Sequence, residues 1–284
     1  MKTTEEYRGD TLMEDNIGLY YVLDNEMKPS EELADLYTGK AVYEVIRIID
    51  RVPLFMEEHY ERMEKSTNLQ GLKMTMEKEA LENIIKELVG ANNLENCNVK
   101  VIVFEGMGVQ NCLAYISRSY YPSGDEVERG VTVGLLKLER KNPNAKVVNT
   151  AYKEAVGKKI KDENVFEVLL VNDSGFITEG SRSNVFFVND KKIFTAPGDV
   201  VLKGITRQYV LDACKNCGIE VVESLTGVNE LDDIEGLFLS GTSIKVLPVS
   251  MVEGFTFKSG SHPVIVSVRD EFDRILERYI REHK

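Results

Sequence analysis

The sequence is poor in the residues that build metal sites and disulfide frameworks. Its 284 residues include four cysteines and three scattered histidines, which we interpret as surface or packing residues. Cys214 and Cys217 form a single C-x-x-C, whereas a structural zinc site needs two further ligands at a suitable spacing. We therefore expect no metal, and the few cysteines indicate a reducing, cytoplasmic compartment.

Long apolar runs and basic patches are also missing. No stretch of 18 apolar residues is present, so no transmembrane helix is predicted, and the N-terminal MKTTEEYRGD lacks the apolar core of a signal peptide. The net charge of −12 argues against non-specific binding of nucleic acid, which depends on a basic surface. We expect neither a membrane nor a nucleic acid as partner, and an anionic ligand would need locally placed arginines or backbone N–H groups.

Three common catalytic motifs are absent. The chain has no G-x-x-x-x-G-K-[ST] loop, no G-x-G-x-x-G fingerprint and no G-x-S-x-G elbow. Nucleotide binding by these loops and hydrolysis by a serine triad therefore have little support.

Strand-like and helix-like patterns alternate along the whole chain. This alternation favours an α/β or α+β protein, and the length suggests two domains. Proline and glycine in the segment YYPSG interrupt the pattern near residue 122. We therefore expect a small N-terminal α/β domain over residues 1–122 and a larger C-terminal domain over residues 123–284.

The first half contains a predicted hairpin and two helices. Residues 41–49 are rich in β-branched residues and predict a strand, and residues 52–55 can pair back on it. Alternation along this strand places Tyr43 and Arg47 on one face and Glu44 on the other. The predicted helices cover residues 57–67, with Arg62, and residues 77–89, with Gly90 at the position that follows a helix end. Two further strands are predicted at residues 98–103 and 113–117.

The second half is predicted to be longer and more mixed. Strands are expected at residues 131–138, 166–171, 176–178, 184–188, 192–195, 219–222, 236–240 and 248–252. Helices are expected at residues 150–161 and 263–282, and a further helix follows the segment 204–206 and runs to about residue 216.

Two polar segments could bind an anion. Gly204-Ile205-Thr206 precedes a predicted helix, whose free N–H groups attract negative charge, although a plain helix start capped by threonine explains it equally. The segment SGTS at residues 240–243 follows a strand and can be either an anion-binding turn or an ordinary surface turn. A third segment, with Glu179, can face solvent or a cationic group in a cleft.

Four spaced motifs occur in a specific order. They are VYEVIRI with EEHYERM, ITEGSRSNVFFV, LKGITRQYV and SGTSIKVLPV, within a stretch from about Gly39 to Val249. This arrangement resembles the class IV aminotransferases, the fold type IV enzymes that use pyridoxal 5'-phosphate (PLP). The resemblance implies a two-domain fold of that type, the cofactor PLP and transfer of an amino group between an amino acid and a 2-oxo acid.

The resemblance also implies roles for particular residues. Lys146, which lies 33 residues before Glu179, is the Schiff-base lysine, and Lys153 is a nearby competitor inside the next predicted helix. Glu179 is the carboxylate that faces the ring nitrogen and keeps it protonated. The cofactor-binding group is completed by Arg62, Ile205, Thr206, Gly241 and Thr242 around the phosphate, with Ser183 and Asn184 beside them; Tyr43, Arg47 and Ser243 are substrate-pocket candidates.

Departures from the family pattern leave the substrate open. D-amino-acid aminotransferases carry an Arg-x-His pair where this chain has FEGMGVQ, and many members have a tyrosine where Thr150 stands. The pattern VYEV, in contrast, is nearer to the D-type enzymes. An aminodeoxychorismate lyase, which uses the same cofactor and eliminates pyruvate, remains an alternative, as does an inactive PLP-binding paralogue with an assembly role. By the same resemblance we expect a homodimer.

Overall fold

The structure is a computed structural model that describes residues 12–34, 40–106, 108–140 and 143–284. Gly39 and Met107, which belong to segments discussed above, lie outside these ranges. Two compact units are present. The N-terminal unit runs to Ser119 and includes Ala145–Asn149 and Arg278–Lys284, whereas the C-terminal unit comprises Tyr120–Asn144 and Thr150–Glu277. The domain division near residue 122 stays a prediction.

The N-terminal unit is built on a six-stranded antiparallel sheet with the strand order β2-β1-β6-β5-β3-β4. Helices α2 and α3 cover one face, where they bury a core of aliphatic side chains. The elements are α1 (Leu12–Asp15), β1 (Asn16–Leu23), β2 (Glu26–Pro29), β3 (Ala41–Ile49), β4 (Val52–Pro53), α2 (Met56–Gln70), α3 (Lys78–Ala91), β5 (Cys97–Gly106) and β6 (Val109–Ser117).

The predicted hairpin is confirmed. Strands β3 and β4 pair across Asp50 and Arg51, which both adopt left-handed backbone conformations with φ of 51° and 67°. Two such residues match the twist of the flanking strands in a tight hairpin. Along β3, Glu44 is buried with its apolar neighbours, and Tyr43 and Arg47 lie half-buried on the opposite face, as the alternation predicts.

The predicted end of α3 is wrong. The helix continues through Gly90 to Ala91, and Asn93, with φ of 52°, takes the left-handed position that we expected for the glycine. The Asn92 amide group donates a 2.8 Å hydrogen bond to the carbonyl oxygen of Leu88, which satisfies a carbonyl near the helix end. A side chain beyond the apolar pattern therefore decides where this helix ends.

The C-terminal unit contains a mixed sheet with the order β12-β11-β10-β14-β15-β7-β8-β9-β13, and β16 pairs with β15. Strand β7 is parallel to both β8 and β15. The elements are α4 (Gly124–Arg129), β7 (Val131–Lys137), α5 (Thr150–Glu163), β8 (Glu167–Val171), β9 (Phe176–Gly180), β10 (Asn184–Asn189), β11 (Lys192–Thr195), α6 (Ile205–Asn216), β12 (Val221–Glu223), β13 (Thr226–Gly227), β14 (Gly236–Gly241), β15 (Lys245–Val252), β16 (Phe255–Thr256) and α7 (Pro263–His283).

The predicted mixture of strands and helices is confirmed in both units, and the central strands explain why the sequence pattern is clear. Every residue of β8 is buried, as are nearly all residues of β10, which is typical of strands covered on both faces. Within the described ranges, no helix is both long and apolar enough to cross a membrane. The same residues contain no group of three or more side chains that could hold a metal ion.

Candidate active site

Lys146 lies in the N-terminal unit on a short segment that pairs with the start of β3. The Tyr43 N–H donates a 3.0 Å hydrogen bond to the Lys146 carbonyl oxygen, and the Val148 N–H donates one of 3.0 Å to Ala41. The Lys146 N–H donates to the Ser66 hydroxyl on α2 at 3.3 Å. Strand β3 and helix α2 therefore fix the backbone of the lysine that the sequence predicted to hold the cofactor.

The Tyr43 ring lies beside two amines. Lys146 Nζ is 4.8 Å from the ring centroid, and Lys100 Nζ is 5.5 Å from it. Asp15 compensates the charge of Lys100 through a 2.8 Å contact and also accepts a 2.7 Å hydrogen bond from the Tyr115 hydroxyl. The structure thus brings together two of the candidate residues, Tyr43 and Lys146, and places Lys100 and Asp15, which the sequence analysis missed, near them.

The second substrate-pocket candidate on β3 is more distant. Arg47 lies opposite Asn98, four residues beyond Tyr43. At the rise of a β-strand this separation is about 13 Å along the backbone. Arg47 shares the predicted face with Tyr43, but it stands at the other end of the strand.

Arg62 is held by a buried carboxylate. Its Nε donates to Glu44 Oε1 and its Nη2 donates to Oε2, both at 2.7 Å, and His59 Nδ1 lies 2.7 Å from Oε2. Burial alone would raise the pKa of Glu44, but Arg62 and His59 hold it well below its usual range. Burial lowers the pKa of His59, so its ring is neutral and donates from Nδ1. His59 is therefore a buried hydrogen-bond partner and not an ordinary packing residue, which corrects our interpretation of the histidines.

Glu179 lies in the C-terminal unit, almost completely buried, with both carboxylate oxygens hydrogen-bonded. Arg140 Nε donates to Oε1 at 2.9 Å, and the Leu202 N–H donates to Oε2 at 3.2 Å. Arg140 Nη2 also contacts the Tyr152 hydroxyl and the Ser181 carbonyl oxygen, each at 3.2 Å. The predicted acid is thus an oriented group with a hydrogen-bond donor on each oxygen, and Arg140 and Tyr152 are functional candidates that the sequence analysis missed.

The start of α6 has the features of an anion site. Gly204 is its N-cap and has no side chain that could cap it, and Thr206 lies inside the helix, so the threonine is not the N-cap. A Cβ at Gly204 would clash with Asn184 Oδ1, so the Asn184 side chain would have to move if the glycine were replaced. The Ile205 and Thr206 N–H groups belong to the first turn of this helix, where N–H groups have no partner within the helix itself.

Asn184 lies between the segment that precedes α6 and strand β14, which leads into the SGTS turn. The Asn184 amide donates to the Leu202 carbonyl oxygen at 2.9 Å, and Asn184 pairs with Ser240 across β10 and β14. The Ser240 hydroxyl is buried, and no hydrogen-bond partner for it exists within the described residues. Gly241 ends β14, and Thr242 and Ser243 follow it, half-buried, in the turn to β15.

One predicted contact is directed elsewhere. The Ser183 hydroxyl donates a 3.1 Å hydrogen bond to Glu167, a buried carboxylate that also accepts from the Ser181 hydroxyl. Glu167 therefore braces the turn between β9 and β10. We infer that Ser183 shapes this turn, which carries Glu179 on one side and Asn184 on the other.

The C-terminal residues fit PLP as a ligand. The buried carboxyl group of Glu179 suits the ring nitrogen, and the helix start behind the glycine N-cap suits a phosphate. Direct contacts link Glu179 to Leu202, Leu202 to Asn184 and Asn184 to Ser240, whose hydroxyl lacks a partner in the described part of the chain. A buried hydroxyl without a partner is costly unless a ligand satisfies it.

The chain is similar in sequence to known proteins over most of its length. The model of the family described as amino-transferase class IV matches residues 41–252. A protein of Methanocaldococcus jannaschii named as an aminotransferase is 30% identical over 232 residues, which is 77% of this chain and 81% of that protein. The D-alanine aminotransferase of Bacillus licheniformis is 27% identical over 234 residues, or 78% of this chain and 82% of that protein.

Solved structures show the same fold. The branched-chain amino acid aminotransferase of Escherichia coli superimposes with a TM-score of 0.82 at 24% identity, covering 91% of this chain and 94% of that one. At this identity the likeness concerns the fold alone. Together with the family match over residues 41–252, it identifies the chain as a class IV aminotransferase, an enzyme of the fold type IV group that uses pyridoxal 5'-phosphate.

Proposed function

We propose that Lys146 is the amine that binds PLP and that Glu179 holds the ring nitrogen during amino transfer between an amino acid and a 2-oxo acid. The observation that carries this proposal is the fixed position of Lys146 against β3, with its amine beside the Tyr43 ring. A lysine in the competing position, Lys153, lies inside α5. A fixed backbone holds the lysine amine in one position, so that the amine can react with the cofactor in the same geometry in each catalytic cycle.

Each residue then has a defined task. When bound, PLP supplies an electron sink that stabilises negative charge at the substrate Cα. Lys146 Nζ moves a proton between the substrate Cα and the C4′ atom of the cofactor. Glu179 keeps the ring nitrogen protonated, because an ionised carboxylate favours a cation beside it.

The phosphate is held by groups at the start of α6. The N–H groups of Ile205 and Thr206 donate to it, and the glycine before them allows close approach of the backbone. We assign the turn at Gly241 and Thr242, and the guanidinium of Arg62, to the same anion. Arg62 is oriented in advance by Glu44, so little ordering is required when the phosphate binds.

The side of the sheet that carries Tyr43 favours an apolar substrate. Tyr43 packs against an aromatic and aliphatic cluster that includes Ile102, Leu113 and Tyr115. The Arg-x-His pair of the D-type enzymes is absent from the sequence, and Lys100 is already paired with Asp15. Relatives are named for both D-alanine and branched-chain amino acids. We propose an amino acid with an apolar side chain as donor and a 2-oxo acid as acceptor.

A substrate panel tests this function. The purified protein with PLP is assayed with L- and D-forms of alanine, valine, leucine and isoleucine, with 2-oxoglutarate or pyruvate as acceptor. We expect turnover of one or more apolar amino acids, and none by a Lys146→Ala variant. If the protein releases pyruvate from aminodeoxychorismate without an acceptor, its reaction is the lyase reaction and not transamination. If the protein does not take up PLP, it is an inactive paralogue.

We propose further that the enzyme works as a homodimer in the cytoplasm. Both statements follow from the family resemblance and from the few cysteines of the sequence. Light scattering after size-exclusion chromatography tests the first, with a mass of twice 32.1 kDa as the expected result. A monomeric mass with full activity would contradict it.

A further inference from the structure

Glu179 has a cation beside it before any ligand arrives. The Glu179 side chain is 3% exposed and that of Arg140 is 16% exposed, so water screens the pair only weakly. Buried carboxylates without a partner take up a proton, because burial disfavours the charged form. Arginine remains charged at any ordinary pH, so Arg140 places a permanent positive charge beside Glu179.

Arg140 is itself held in place by Tyr152. The Tyr152 hydroxyl donates a 2.8 Å hydrogen bond to the Ser181 carbonyl oxygen and accepts one of 3.2 Å from Arg140 Nη2. The Tyr152 ring lies 5.0 Å from the guanidinium carbon. A hydroxyl, a carbonyl oxygen and an aromatic face thus restrain one guanidinium, and its Nε remains directed at Glu179.

The position of the proton between Glu179 and the ring nitrogen depends on this cation. Two forms are possible for such a pair: a carboxylate with a protonated nitrogen, or a neutral acid with a neutral nitrogen. In a dry site the neutral form is favoured, because two charges lose their hydration. A positive charge next to the carboxylate stabilises its ionised form and so leaves the proton on the nitrogen.

We propose that Arg140, fixed by Tyr152, is a positioning residue that keeps the shared proton on the cofactor ring nitrogen by holding Glu179 ionised and oriented. Arg140 acts through Glu179. This inference rests on the proposed role of Glu179, and it explains why a second charged residue is buried in the same site.

The test reads the proton directly. Wild type, Arg140→Gln, Arg140→Lys and Tyr152→Phe are loaded with PLP that carries ¹⁵N in the ring, and the ¹⁵N chemical shift and the Kd for PLP are measured. Arg274→Gln, an exposed arginine on α7 in the same unit, is the matched control. The chemical shift reports protonation, which a merely structural role would not change.

We expect a protonated ring nitrogen in the wild type and in Arg274→Gln. In Arg140→Gln the shift moves towards the unprotonated value, and the Kd for PLP rises about tenfold or more, as for the loss of a charge-assisted hydrogen bond. Arg140→Lys retains the charge and keeps most of the protonated signal. Tyr152→Phe lies between wild type and Arg140→Gln, because the guanidinium is less restrained.

The outcomes separate this inference from the proposed function. A wild type that takes up PLP, with Arg140→Gln unchanged in both ¹⁵N shift and Kd, overturns the role of Arg140 and leaves the function intact. If Arg140→Gln does not fold, unchanged values in Arg140→Lys and Tyr152→Phe overturn it equally. A wild type that takes up no PLP overturns the proposed function, and the inference with it.

Discussion

Glu44 binds Arg62 through both carboxylate oxygens, with two N–O distances of 2.7 Å. The pair joins β3 to α2, the two elements that also fix the backbone of Lys146. A single buried ion pair therefore supports both the proposed phosphate arginine and the proposed cofactor lysine.

Removal of Glu44 should destabilise the protein strongly. Glu44→Ala leaves the Arg62 charge in a largely buried site without its anion, and such a change costs about 3–5 kcal/mol. Urea unfolding followed by circular dichroism measures the loss. Glu61→Ala, at an exposed position of α2 next to Arg62, should change the free energy of unfolding by less than about 0.5 kcal/mol. Equal decreases in the free energy of unfolding in both variants would show that the Glu44–Arg62 pair stabilises the protein no more than an exposed residue does.

Stability should fall as the pH drops below the ordinary pKa of histidine. The folded protein keeps His59 neutral because burial lowers its pKa, whereas the unfolded chain binds a proton there below about pH 6.5. The unfolded state then binds more protons, so the free energy of unfolding decreases as pH falls through 6.5 towards the lower folded pKa.

A comparison of two histidine variants checks this pH dependence. His59→Gln should lose the part of the decrease between pH 7.5 and pH 5.5 that His59 causes, whereas His283→Gln, at the exposed end of α7, should retain it. The same pH dependence in wild type and in His59→Gln would assign the effect to other groups.

Alanine at position 204 should disrupt the anion site. The new Cβ would clash with Asn184 Oδ1, and Asn184 contacts Leu202, which donates to Glu179. We expect Gly204→Ala to weaken PLP binding about tenfold or more, measured by equilibrium dialysis, through movement of groups at the helix start. Gly124→Ala is the control, because a Cβ there meets open space. Equal Kd values for both variants would place the phosphate elsewhere.

Local patterns in the sequence were enough for much of the fold. The hairpin of β3 and β4 and helix α6 were predicted to within a few residues, because alternation, turn residues and the glycine at position 204 act over short distances. Gly90 was assigned wrongly, since the end of α3 depends on the Asn92 side chain and on backbone pairing. Apolar periodicity carries no information about either.

The missed site residues share a different cause. Arg140 and Glu179 are 39 positions apart, and Lys100 and Asp15 are 85 apart, so their pairing depends on the folded sheet. One signal was available: a charged residue, Glu44, on the otherwise apolar face of β3 predicts a buried partner. The partners are Arg62 and His59, and they could be identified only from the way α2 packs against β3 in the folded protein.

The covalent site of the cofactor is the most direct test of the account. Wild type, Lys146→Ala and Lys153→Ala are incubated with PLP, reduced with borohydride and digested, and the pyridoxyl group is located by mass spectrometry. We predict the modification at Lys146 in wild type and in Lys153→Ala, and none in Lys146→Ala. A pyridoxyl group on Lys153, or on another lysine of the wild type with Lys146 unmodified, would contradict the central claim.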